Sequence, residues 1–354
     1  MNAAGDSIFE RHRVFAIAIL MLAVCLITLV VFELGFRLGR DLIKGSPWIA
    51  RAENVDDAGL GWALNPDKKL VTKINACNEI VVRKTPAGRY LAKHTPASGA
   101  NAVPVLFLGD SFTQGTETST DGMYFEVFEK SGNGRYAVSA AGIGGFSTVQ
   151  EFRLLEKVYP VVQPKLVFWQ LSTNDVGENV HTGTDISTVQ RPRLYYDLET
   201  DRFAIHNPAL WLLQHSELFK YLFGEMVKIQ RVRPFGLDTL VKWWSPPPQV
   251  PAGEINRRGL QVMERMVAKA VQTYPGTKFA GFGADGGFDA EYRAIFERQG
   301  AAYLSGLAGQ IRAQAAGRPI DCAPLDTHWN HHGNRVAAAV LLDHANRLLS
   351  APVR

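Results

Sequence analysis

Only three cysteines occur in the 354 residues, and no two of them stand at Cys-x-x-Cys or any other metal-binding spacing. A zinc-held domain or a small disulfide scaffold is therefore excluded. Cys25 falls inside an apolar N-terminal run, which leaves Cys77 and Cys322 as the one pair that an oxidising compartment could join. Two cysteines without a framework are more often small buried thiols, so the sequence leaves their pairing open. Blocks of like charge are also missing. Lys and Arg number 38 against 34 Asp and Glu, and the formal net charge of +4 is spread along the chain. No basic footprint for nucleic acid results, and no nucleic-acid partner is expected. His328, His331 and His332 gather near Asp326 without a spacing such as His-Glu-x-x-His, so neither a metal nor an organic cofactor is expected.

What the chain does have is one long run without charge, Val14 to Phe32. As a helix it reaches roughly 28 Å, close to the hydrocarbon thickness of a bilayer. A cleaved signal peptide has a shorter apolar region followed by a small-x-small site, whereas this run passes directly into Glu33-Leu-Gly-Phe-Arg37. The expectation is a retained single-pass anchor, 14–32, after a tail, 1–13. Arg11 and Arg13 before the run and Arg37, Arg40 and Lys44 after it leave the orientation open.

Residues 33–100 mix Gly, Pro, Asn and charge with short strand-like pieces such as Glu79–Arg83 and read as a stalk merging into a domain edge. From about 101 to the end the order becomes regular. The apolar run Val103–Leu108 ends in Gly-Asp-Ser and is followed by a helical stretch, Asp121–Lys130. Tyr136–Ser139 precedes a glycine-rich turn and a helix over Thr148–Tyr159, and Lys165–Leu171 ends in Ser-Thr-Asn-Asp. A helical stripe through Leu260, Met263, Val267, Ala270 and Val271, a strand at Lys278–Phe282 and a closing helix over Val336–Leu349 continue the series. Repeated β-α order predicts an α/β fold, a doubly wound parallel sheet covered by helices on both faces. The rhythm breaks at about 180–253, an insertion with a hairpin at Arg193–Asp197 and Arg202–Ile205, a helix over Ala209–Phe223, Trp243-Trp244 and Pro246–Pro248. It is placed either to roof the site or to elaborate the surface.

Four segments carry the chemistry: Gly109-Asp-Ser-Phe-Thr-Gln-Gly115, Ala141–Thr148, Ser172-Thr-Asn-Asp175 and Asp326-Thr-His-Trp-Asn330. The first three follow predicted strands. In a sheet of flavodoxin-like order 2-1-3-4-5 the carboxyl ends of strands one and three flank a crevice, which places Ser111 opposite Asn174. Serine needs a base to take its proton and a third group to orient that base, and His328 with Asp326 supplies both. Donors for an oxyanion are at hand in the Ser111 amide, the Gly145 amide and the Asn174 carboxamide. Asp110 and Asp175 read as structural groups bonding loop amides, and Trp329 as packing for its loop.

In this order the segments resemble the Ser, Gly, Asn and His blocks of the SGNH (GDSL-like) hydrolase superfamily, over about Val103 to Leu349. The resemblance implies a flavodoxin-like fold, Ser111 as nucleophile, Asp326 and His328 completing a triad, and an oxyanion hole from Ser111, Gly145 and Asn174. Alignment with the family block selects Gly145 from Gly142, Gly144 and Gly145. Two positions depart from the pattern: Ser172 stands where a glycine is frequent, and Ala140 where an asparagine is common. The Asp-Thr-His-Trp string also resembles that of SGNH-like bacterial exopolysaccharide O-acetyltransferases, which place their serine after it. The implied activity is esterase action on acyl, above all acetyl, esters, with an O-acylated cell-envelope glycan as substrate. An O-acyltransferase to a polysaccharide hydroxyl and a non-catalytic glycan-binding module are the alternatives. The short tail and the resemblance together place the anchor in a bacterial inner membrane with the domain on the periplasmic side. Acyl donor, acceptor and protein partners are not readable.

Overall fold

The computed structural model describes residues 12–42, 54–67, 71–97, 102–181, 192–206 and 251–350, with Ser216, Leu218, Phe219 and Leu222. The first element, α1, runs over Arg13–Leu42 and continues the apolar run well past Phe32. Its segment Arg13–Gly39 is long and apolar enough to cross a membrane, and none of it is buried inside the protein. By length and composition it also fits a signal sequence. Near its C-terminal end, the Glu33 carboxylate accepts hydrogen bonds from Ser216 Oγ (2.7 Å) and the Leu218 amide (3.1 Å), so part of the insertion touches the helix.

Residues 54–67 and 71–94, within the segment expected to be a stalk merging into the domain edge, pack with the domain. Two antiparallel hairpins form, β1 (Asn54–Asp57) with β2 (Gly61–Leu64), and β3 (Val71–Ile74) with β4 (Ile80–Arg83). Leu60, Trp62, Leu64 and Leu91 are buried among the core side chains. The reason is visible in β2, whose four residues are all buried, Trp62 and Leu64 on a run too short to show a period. A two-residue strand, β5 (Lys93–His94), then joins the main sheet.

That sheet has six strands. It is formed by β5, β6 (Val103–Gly109), β7 (Tyr136–Gly142), β8 (Leu166–Leu171), β11 (Lys278–Gly283) and β12 (Ala302–Tyr303). Their spatial order is β12-β11-β8-β6-β7-β5. All neighbours are parallel except β5, which is antiparallel to β7. Counted along the chain, the five parallel strands lie in the order 2-1-3-4-5, which makes the carboxyl ends of β6 and β8 the switch point.

The strands read as continuous apolar runs because both faces are covered. Alternation sends Leu106 and Leu108 of β6 to one face, with Val167 and Trp169 of β8. There they meet α4 (Thr148–Val162), α6 (Ala252–Thr273) and α7 (Asp289–Arg298) through Phe152, Leu155, Met263, Val267 and Phe296. Val105 and Phe107 go to the other face, beneath α3 (Tyr124–Ser131), α8 (Leu307–Gln314) and α9 (His331–Ser350). Phe107 stacks on Phe168 at 5.2 Å and meets Phe128 edge-on at 5.1 Å. Each such side chain taken fully out of water contributes about 1.5–3 kcal/mol.

The helix expected at Asp121–Lys130 is divided into a 3₁₀ turn, Thr120–Gly122, and α3. The closing helix starts at His331 rather than Val336, because Asn330 caps it: its Oδ1 accepts from the His332 and Gly333 amides, each at 2.9 Å. The hairpin at 193–206 is present as β9 (Arg193–Asp197) and β10 (Arg202–His206). The rest of the insertion, including the helix expected over 209–223 (apart from the four residues named above), Trp243, Trp244 and Pro246–Pro248, lies outside the described residues.

Cys77 and Cys322 form a disulfide across a sequence separation of 245 residues, joining the β3–β4 hairpin to β13 (Asp321–Cys322). Closing so long a loop restricts the unfolded chain, and replacing both cysteines by serine is expected to lower unfolding stability by about 2–5 kcal/mol. Urea unfolding followed by tryptophan fluorescence measures this, and an unchanged midpoint would contradict it.

Candidate active site

The turn after β6 presents Ser111. Asp110 ends the strand, and its Oδ1 accepts from the Phe112 amide at 3.1 Å, which starts a single helical turn, α2 (Ser111–Gln114). Asp326 and His328 lie on a short strand, β14 (Asp326–Trp329), antiparallel to β13, and not in the loop expected for them. Two residues apart on a strand, both side chains project to one face. There they meet Ser111: His328 Nδ1 lies 2.7 Å from Asp326 Oδ1, and His328 Nε2 lies 2.7 Å from Ser111 Oγ. A carboxylate only accepts, so the proton of the neutral ring sits on Nδ1, and Nε2 is left to accept from the serine hydroxyl. The His328 ring packs on Phe112 at 4.7 Å, and Trp329 meets Phe112 and Tyr124 edge-on. The His328 and Asp326 side chains remain 31% and 28% exposed, which leaves the pair reachable from solvent.

The end of β14 is held from outside by the β3–β4 hairpin. His331 Nδ1 bonds Glu79 Oε2 at 2.8 Å and its Nε2 accepts from the Ser119 amide at 3.1 Å. Thr118 Oγ1 and Asn334 Nδ2 donate to the Trp329 carbonyl. His331 thus has structural partners at the start of α9.

Beside Ser111 lies the glycine-rich turn after β7. The Gly144 amide is engaged by Gln114 Oε1, whereas among the described residues neither the Gly145 nor the Ser111 amide meets an acceptor. Gly145 has φ +76°, a conformation that favours glycine, and a Cβ there would stand 3.6 Å from Trp62. Asn174 lies on α5 (Thr173–Glu178), exposed, one turn beyond β8. Its Oδ1 lies 2.9 Å from Ser172 Oγ and its Nδ2 donates to Glu178 Oε2 (3.0 Å), which leaves the second amide hydrogen uncommitted. Ser172, where a glycine was expected, lies 2.6 Å from Asp110 Oδ2 and so connects the Ser111 turn to the Asn174 turn. Asp175 accepts from the Ser172 amide at 2.8 Å, the structural part read for it.

Solved structures with a similar fold include a lipolytic protein of the G-D-S-L family from Veillonella parvula (13% identity, 70% of this chain and 100% of that chain, TM-score 0.38). Others are the psychrotrophic esterase EstA from Pseudoalteromonas sp. (12%, 70% and 98%, TM-score 0.40) and a carbohydrate acetylesterase family member from Sinorhizobium meliloti (13%, 70% and 99%, TM-score 0.36). No family model and no curated protein matches the chain.

Residues that sequence reasoning missed surround these groups. Gln114, three positions after Ser111, holds the glycine turn. Trp62 and Arg193 gather behind Asn174 and Gly144 from distant segments, with no short-range pattern to mark them, whereas Glu178 stands one helical turn after Asn174. Burial pushes the Glu178 carboxyl up, and the Arg193 guanidinium works against that.

Under the site lie three fully buried carboxyls, Asp110, Glu151 and Asp175. Burial, with the Asp110 charge next in size, holds Glu151 well above its ordinary value of 4.5, and burial with the Glu151 and Asp110 charges does the same for Asp175. The folded chain keeps protons there that the unfolded chain has released. These groups therefore cost no stability below about pH 4.5 and progressively more as pH rises toward their folded values. Glu151→Gln retains an acceptor for Trp169 Nε1, now 2.8 Å from Glu151 Oε2. It is expected to raise stability at pH 8 by at least about 1 kcal/mol, near the worth of one pH unit, and to change it little at pH 4.5. Thermal unfolding at both pH values tests this, and a gain confined to the lower pH would reverse the sign.

Proposed function

We propose that the chain is a membrane-anchored serine esterase acting on acyl esters through an acyl-serine intermediate. The observation that carries this reading is the unbroken series Ser111 Oγ, His328 Nε2, His328 Nδ1, Asp326 Oδ1, with 2.7 Å at each contact between side chains. Ser111 Oγ attacks the ester carbonyl carbon while its proton passes to His328 Nε2. Charge then gathers on the carbonyl oxygen, where the unengaged Ser111 and Gly145 amides and the free hydrogen of Asn174 Nδ2 serve as donors. The carbon–oxygen bond to the alcohol breaks as His328 returns the proton to that oxygen. A second hydroxyl gives its proton to His328, attacks the acyl carbon and restores Ser111. Asp326 orients the ring and stabilises the imidazolium without leaving its carboxylate form.

Acceptance by water makes the protein an esterase, and acceptance by a sugar hydroxyl makes it an O-acyltransferase. An O-acylated envelope glycan is the substrate class proposed, and product analysis with an acetylated oligosaccharide separates the two outcomes. Export of the domain is supported by the Cys77–Cys322 disulfide, since such bonds persist in oxidising compartments. The location proposed is α1 in a bacterial inner membrane with the site on the periplasmic side.

Ser111→Ala and Ser111→Ala/His328→Ala are expected to be equally inactive on a short-chain nitrophenyl ester, because a base without its nucleophile has nothing to activate. A fluorophosphonate should label Ser111 in the parent protein and fail to label the His328→Ala variant at a comparable rate. An active Ser111→Ala enzyme would remove the acyl-serine mechanism.

Deleting residues 1–40 should move the protein from the membrane to the soluble fraction, because α1 carries the one span long and apolar enough to cross among the described residues. Fractionation with an N-terminal tag checks this, and full-length protein that is soluble with its tag intact would rule out the anchor.

A further inference from the structure

Asn174 is exposed on a helix of six residues, a poor base for a donor whose direction matters. Its carboxamide is nevertheless held through its nitrogen. One helical turn further on, Glu178 Oε2 accepts from Nδ2, while Oδ1 lies 2.9 Å from Ser172 Oγ. The carboxylate can only accept, so it selects which end of the amide faces it; the reversed amide would set oxygen against oxygen. A lone carboxylate here would also oppose negative charge developing nearby. Arg193 Nη1 lies 3.2 Å from the same Glu178 Oε2, and the arginine side chain is only 3% exposed.

Arg193 belongs to the insertion hairpin, which is seated tightly on the N-terminal part of the domain. A Cβ at Gly61 would come within 2.0 Å of the Pro192 carbonyl oxygen, so β2 and β9 touch backbone to backbone. The guanidinium rests over the Trp62 ring at 5.3 Å, and Trp62 Nε1 donates to the Gly144 carbonyl at 3.2 Å. Gly144 and Asn174 are thereby joined through Trp62, Arg193 and Glu178, residues outside the four motif segments.

We infer that Glu178 and Arg193 are positioning residues that aim the Asn174 carboxamide at the oxyanion, with Trp62 tying them to the glycine turn. The inference rests on the reading of Asn174 as an oxyanion donor. Glu178 supplies direction, and Arg193 offsets the charge that this direction would otherwise bring. The insertion hairpin is then part of the catalytic apparatus through its first residue.

The test is steady-state turnover of a nitrophenyl ester by the full-length protein in detergent. Glu178→Ala should lower kcat about tenfold with KM within about twofold, because aim is lost for a group that acts in the transition state. Glu178→Gln, whose Oε1 can accept from Asn174 Nδ2, should restore kcat to within about threefold of the parent. Glu178→Asp, which keeps a charge for Arg193 and shortens the reach, should fall with the alanine variant. It also serves where Glu178→Ala does not fold. In an Asn174→Ala background, itself expected to be about a hundredfold slower, Glu178→Ala should add less than about twofold. Equal loss in the glutamine and aspartate variants, a loss in KM alone, or full additivity with Asn174→Ala would overturn the positioning role. Parent-like turnover by Asn174→Ala alone would instead overturn the oxyanion reading beneath it.

Discussion

The hydrogen bond between Ser111 Oγ and His328 Nε2 joins residues 217 positions apart, and it is short enough to matter only if both carriers are rigid. Ser111 is fixed by the end of β6, at the centre of the parallel sheet, and by the Asp110 cap that begins its helical turn. His328 has no such central support. It rides on a four-residue strand whose only strand partner among the described residues is β13, held in turn by Cys77 through the disulfide and by Glu79 and Ser119 through His331. The β3–β4 hairpin thus acts as a brace on the His328–Asp326 pair, which the sheet does not reach.

A second constraint lies beneath the crevice. The turns bearing Ser111 and Asn174 are linked through Asp110, Ser172 and Asp175, all buried. Such polar connections need carboxyls out of water, and Glu151 joins them below. Their mutual repulsion is relieved by keeping protons on Glu151 and Asp175, so the floor of the site is rigid at some cost in stability at higher pH. Asn174 stands above this floor and depends on Glu178 for the direction of its amide.

The sheet and the motif positions were legible in the sequence for a simple reason. A central parallel strand is a short apolar run, its C-terminal end is a polar turn, and both are local properties. Val103–Leu108 with Gly-Asp-Ser and Lys165–Leu171 with Ser-Thr-Asn-Asp show both at once, and the repeated unit predicts the parallel sheet, whereas the order 2-1-3-4-5 came with the flavodoxin-like fold that the resemblance implied. Less legible were β1, β2, β3 and β5, whose two to four residues give no period long enough to read; of the N-terminal strands, the strand-like piece at Glu79–Arg83 marked β4. β12 and β13, of two residues each, were hidden for the same reason.

Residue type, order along the chain and the apolar length of α1 are what the sequence by itself determined: a serine, a histidine and an acid in ordered motifs, polar turns at strand ends, and a segment able to span a bilayer. Only the tertiary structure decided that Cys77 meets Cys322 and that Gly145, not Gly144, keeps an unengaged amide. It alone also brought Trp62, Glu178 and Arg193 together behind Asn174. Apart from the contact of Glu178 with Asn174, one helical turn away, each of these depends on contacts between segments tens to hundreds of residues apart. Their geometry is set by how hairpins and helices pack on the sheet, and no local spacing encodes it.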